Sequence, residues 1–205
     1  MATESEKKAK ASEYKVFATP RPYSFELNMD LMKLLRDEFD PPLVVGKFTD
    51  SIGNKKEGEI AGLAEKFFKE HGERWMKKTV RLGEEYPDRT YEVLKEVADE
   101  TGELVFPLVV QRFIEIAYLS TQKFRVLPIV ENWGKRLIYK VPDCYMFAVI
   151  KEKCGPAAAG ALPCRHACLE LCNSICRHFN SDALVKMEST MVDNNFCQFA
   201  ISKTI

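Results

Sequence analysis

The chain has 205 residues, 46% apolar and 29% charged, a balance that belongs to a folded globular protein and excludes a disordered or fibrous one. Lys plus Arg and Asp plus Glu each number 30, so no net field advertises a nucleic acid or an acidic membrane surface. No apolar run approaches the roughly 18–20 residues of a spanning helix and no signal-peptide pattern opens the chain, so a cytoplasmic protein with no membrane partner is expected.

Residues 1–22 are charged and proline-punctuated, and read as a flexible tail ahead of a single α+β domain over 23–205. Within it, 23–122 is the helical part and 123–205 holds a sheet plus cysteine-bearing helices. A first helix is expected from about Ser24 to Phe39, where Leu27, Leu31, Leu34, Leu35 and Phe39 form an apolar stripe, with Pro41-Pro42 ending it. Leu43-Val44-Val45 reads as a short buried run and the polar stretch to Lys56 as a loop. The next helix is long, from about Glu57 to Leu82, with Gly72 marking a bend and His71 read as a core or boundary histidine. Pro87-Asp88 turns the chain into a helix from about Arg89 to Asp99. After Gly102, residues Glu103 to Gln122 are apolar nearly all round and predict the central buried helix. Its Arg112 and Glu115 sit either on a narrow wet face or in a polar pocket.

From Phe124 the pattern is that of strands: 126–130 and 136–141 across a turn at Asn132-Trp133-Gly134. Asp143 can cap a short helix that starts near Cys144 and stops at Gly155-Pro156, and 155–162 is a small-residue loop. A helix follows over Pro163 to Asn180, then two strands, 183–190 and 196–202, joined near Asp193-Asn194-Asn195 as an antiparallel pair. The predicted fold is therefore α+β: a layer of helices packed on a small antiparallel sheet, with the cysteine-rich helix between the sheet strands.

All seven cysteines lie between Cys144 and Cys197. An odd, clustered set without a secretion signal argues against a disulfide framework, and leaves thiol chemistry, a metal, or burial as small apolar groups. Cys164, Cys168, Cys172 and Cys176 recur every fourth residue and share a helix face, but their span rises about 18 Å, too far for one ion. Cys144 and Cys164 each open a helix, where the unpaired N–H groups favour a thiolate. Cys164, beside Arg165, is thus the candidate nucleophile, and His166 the candidate catalytic histidine, although local spacing turns it to another side of the helix. The competing reading is a metal: Cys168 and Cys172, with Cys144 and Cys197 brought in by folding, make a four-sulfur set suited to zinc, with an iron–sulfur cluster as the alternative.

The strand followed by Val141-Pro142-Asp143-Cys144, the cysteine helix, and the closing Asp193 to Ile201 (DNNFCQFAI) resemble one superfamily. It contains the four-vinyl-reductase-like small-molecule-binding domains and the L-2-amino-thiazoline-4-carboxylic acid hydrolases; the resemblance covers about residues 104–202. Asp193-Asn194 stands where the family usually has Gly-Asp, and this helix carries more cysteines than the family pattern. The resemblance implies either a hydrolase that opens a small sulfur- and nitrogen-containing cyclic acid, through a cysteine thiolate or a thiolate-bound metal, or a non-catalytic binding or sensor module whose cysteines hold structural zinc or an iron–sulfur centre. The expected partner is a small organic molecule between the apolar helices and the sheet; a homodimer stays open.

Overall fold

A computed structural model describes residues 25–53 and 57–204, so the tail expected over 1–22 lies outside the described residues. Helix α1 spans Met29–Phe39, later than its apolar stripe suggests, because the Asn28 side chain accepts from the N–H groups of Asp30 and Leu31 and fixes the start there. Helix α2, Pro41–Ile52, occupies what reads in sequence as a proline stop, a buried run and a loop. The two prolines do end α1, yet they also begin α2, since a first-turn residue needs no N–H and proline's φ already suits the helix. Helix α3 runs unbroken over Glu57–Glu85. Gly72 is no bend but a crossing point: a Cβ there would lie 2.2 Å from the Ala167 carbonyl oxygen.

Asp88 caps helix α4, Arg89–Thr101, by accepting from the Tyr91 N–H, and Gly102 closes it in the left-handed region. Helix α5, Leu108–Thr121, is the central one, buried from Val109 through Thr121. Arg112 and Glu115 are both 1% exposed, so the wet-face reading gives way to a polar interior. The Arg112 Nε donates to Asp88 Oδ2 at 2.7 Å and a terminal nitrogen to the Gly83 carbonyl at 3.0 Å, while its guanidinium lies 4.3 Å from the Tyr91 ring centre. One side chain thereby ties the end of α3 and the start of α4 to α5.

Strands β1 (Ile129–Trp133) and β2 (Arg136–Pro142) are followed by helix α6 (Tyr145–Gly160), helix α7 (Arg165–His178), β3 (Ala183–Ser189), the single turn α8 (Met191–Asn194) and β4 (Phe196–Lys203). The expected loop over 155–162 is mostly helix: Gly155, at φ 88°, kinks α6, and the alanines beyond it resume helical geometry. The sheet is antiparallel in the order β1-β2-β4-β3. Leu137, Tyr139 and Val141 pair with Ile201, Phe199 and Cys197, and all six are buried on the face that meets the helices. The α+β architecture, helices layered on a small antiparallel sheet, is the one expected. Its most extensive helix contact is α3 against α7, which presses the cysteine helix between α3 and the sheet.

Candidate functional site

Four thiols come together where β2, α6, α7 and β4 meet. Cys144 precedes α6, Cys164 precedes α7, and Cys168 lies one turn further along α7. The pairing of Val141 with Cys197 carries the fourth sulfur to the same end of the sheet. Cys144 raises the pKa of the other three, Cys197 that of Cys164 and Cys168, and Cys168 that of Cys164, so the sulfurs lie within electrostatic reach of one another. Of the positions assigned as ligands, Cys144, Cys168 and Cys197 thus lie near one another and near Cys164, and Cys172 acts on Cys168. Cys172 lies deeper, its sulfur 3.1 Å from the Tyr139 hydroxyl, which itself stands 3.4 Å from that of Tyr118.

Burial overturns the chemistry expected of these thiols. Burial raises the Cys144 thiol despite the backbone N–H groups of Phe147 and Met146 beside it. Burial, then Cys144, Cys168 and Cys197, push Cys164 well above its ordinary range. Burial likewise lifts Cys168 well above that range and Cys197 to about 12. The helix-start argument fails because desolvation of a thiolate outweighs the partial charges at a helix end. His166 offers no remedy. It faces the cleft described below, whereas Cys164 lines a separate interior cavity. A nucleophile–base pair at Cys164 and His166 is not assembled.

The metal expectation is corrected as well. A zinc or iron–sulfur site needs several deprotonated sulfurs aimed at one point about 2.3 Å away. Among the described residues no group of three or more His, Cys, Asp or Glu side chains is arranged to hold an ion. Cys172, one of the four assigned ligands, is instead in contact with Tyr139. The residues do not fit either group.

The interior cavity at the thiols is small, about 10 Å³, and is lined by Cys144, Cys164, Cys168, His71, Trp75 and Tyr118 among others. His71 stacks on Trp75 with ring centres 5.8 Å apart, and burial, with Arg74 and Lys47 nearby, lowers its pKa to about 3. It is a neutral core histidine, as its place on an apolar stripe suggests. Neither its Nε2 nor the Trp75 Nε1 has a hydrogen-bond partner among the described residues.

A much larger cleft, about 620 Å³, opens on the other side of the α7 start. Phe48 of α2, Ile60 and Ala64 of α3, and Ile150 and Ala158 of α6 make its walls largely apolar, and Arg165 and His166 add polar groups to the lining. Glu65, within electrostatic reach of both, also lines the cleft and is held by Lys69 at 2.6 Å. The cleft lies among helices, not between helices and sheet as expected. Sequence reasoning missed it because its walls are small residues, including Ala157, Ala158 and Ala161 in the stretch read as a loop. The available signal was the spacing of Ala61 with Ala64 and of Ala158 with Ala161, which clears one strip of a helix surface.

No family model matches the chain, and no curated protein matches it. Solved structures similar in outline include the Fe(II) unliganded H-NOX protein from K. algicida and a point mutant of it. Each is 16% identical, covers 86% of this chain and 94% of its own, and superposes with a TM-score of 0.37. With Cys164 buried and protonated, His166 on a different cavity and no metal set among the described residues, the thiazoline-hydrolase expectation does not stand.

Proposed function

We propose that this protein is a non-catalytic small-molecule-binding module, of the kind its carboxy-terminal half resembles in the four-vinyl-reductase-like superfamily. The observation that supports this reading is the cleft of about 620 Å³ between α2, α3 and α6. Its size falls in the range of roughly 300–1,000 Å³ that holds small organic ligands, and apolar walls with a few polar groups are what such ligands require. Ile60, Ala64, Ile150 and Ala158 would enclose an apolar body, and Arg165 and His166 would meet an acidic or hydrogen-bonding end. The thiols supply no reaction in this reading; they are packing on the opposite side of the α7 start.

The test is ligand-induced thermal stabilisation with indole, benzoate and naphthalene-2-carboxylate, in the wild type and in Ala158→Trp, which fills the cleft. A ligand at about 100 times its Kd stabilises by about 2.7 kcal/mol, or roughly 5–10 °C in a domain of this size. A shift of that order in the wild type that vanishes in the variant supports the reading. No shift with any of the three, or an equal shift in Ala158→Trp, overturns it.

A further inference from the structure

A second cleft, of about 450 Å³, lies between α1 and the connection from α5 to β1, about the start of α6. It shares no lining residue with the apolar cleft, and its chemistry is different. Arg36, Lys123 and Arg125 line it, against one acid, Asp40. In a chain whose acidic and basic residues are equal in number, this is a local excess of positive charge. Among the described residues none of the three cations is in an ion pair. Arg36 is oriented by the donation of its Nε to the Ser120 carbonyl at 2.9 Å, which leaves its terminal nitrogens for a ligand. Lys123 lies over the Tyr145 ring at 3.7 Å. Phe124 and Met32 add apolar surface beside these charges.

From this constellation we infer that the cleft binds a phosphate monoester carried on an aromatic or apolar body. Three cations against one carboxylate leave two positive charges for a ligand, and a phosphate monoester is close to doubly negative at neutral pH. An oriented guanidinium matches phosphate oxygens as a planar fork, and lysine adds a point charge. A carboxylate would answer only half of that charge, and an uncharged aromatic none of it. The ring of Phe124 and the thioether of Met32 give the organic part a surface that inorganic phosphate would leave in water.

Phenyl phosphate is the probe, measured by isothermal titration calorimetry on the full chain, with inorganic phosphate and benzoate as comparisons. Saturable binding of phenyl phosphate is expected, weakened when salt is raised from about 50 to 500 mM because partly exposed charges are screened. Loss of two charge-assisted hydrogen bonds leads us to expect Lys123→Gln with Arg125→Gln to weaken it about tenfold or more. Both side chains are exposed, so the double variant should keep its melting temperature, which separates lost binding from lost folding. Ala158→Trp should bind phenyl phosphate unchanged, so failure here and failure of the apolar-cleft reading are distinguishable. No saturable binding, or equal binding by the double variant, overturns the inference. Equal affinity for inorganic phosphate overturns the apolar subsite, and equal affinity for benzoate in Ala158→Trp, where the apolar cleft is filled, overturns the doubly charged one.

Discussion

Alkylation of the folded protein, followed cysteine by cysteine, separates a reactive thiol centre from the buried set described above. The thiolate is the species that reacts, so a pKa raised by burial is a loss of rate. Cys197, moved from the ordinary 9.0 to about 12, holds about a thousandfold less thiolate near neutral pH. Cys164 and Cys168 are raised well above the same reference by burial and by their neighbouring sulfurs. Cys154 differs: it is partly exposed, burial raises it, and Lys153 works in the opposite direction. Iodoacetamide at about pH 8, with peptide mass spectrometry over time, should therefore label Cys154 first and the thiols at 144, 164, 168 and 197 at least about a hundredfold more slowly. In urea all seven should react at similar rates, which shows that the fold and not local sequence sets the difference. Labelling of Cys164 in the folded protein within tenfold of Cys154 would refute the reasoning and restore a reactive centre.

Three further outcomes follow from the same structure. His71 is held at about 3 in the fold against an ordinary 6.5, so the unfolded chain gains a proton first and stability drains away as pH falls below the ordinary value. The loss is on the order of 4 kcal/mol by roughly pH 3.5, and His71→Phe should flatten that limb in urea melts taken across pH; an unchanged acid limb would sink the assignment. Gly72→Ala places a methyl against the Ala167 carbonyl and should cost about 1–3 kcal/mol of overpacking, whereas Gly62→Ala, with nothing within 4 Å, should gain up to about 1 kcal/mol. Thermal melts that rank the two the other way would contradict the α3–α7 crossing. Asp88→Ala strands the buried Arg112 and uncaps α4, for a loss of about 4–6 kcal/mol, part of which Arg112→Met should restore in the double variant; a loss under about 1 kcal/mol in the single variant would deny the pair a structural role.

The elements were legible wherever a local rule acted alone. Asp88 announces α4 and Gly102 its end, and the largely apolar stretch after Gly102 announces a buried α5, although that helix starts at Leu108 and not at Glu103. Errors arose where one residue obeys two rules. Pro41 and Pro42 stop one helix and start the next, and only the chain direction beyond them says which matters. Gly155 breaks helical geometry for one residue without ending the segment. Gly72 reads as a weakness along the chain, but across the chain it is the only residue type that lets α7 come so close.

The helix and strand periodicities by themselves determined an α+β chain with all its cysteines in the carboxy-terminal part, since period is a property of neighbours in the sequence. Tertiary structure alone decided that those sulfurs are protonated packing and that the usable space lies elsewhere, beside Ala158 and beside Arg36. Ionisation depends on how much water each group loses, and a cleft on what two distant helices fail to fill; neither quantity is written in the order of residues.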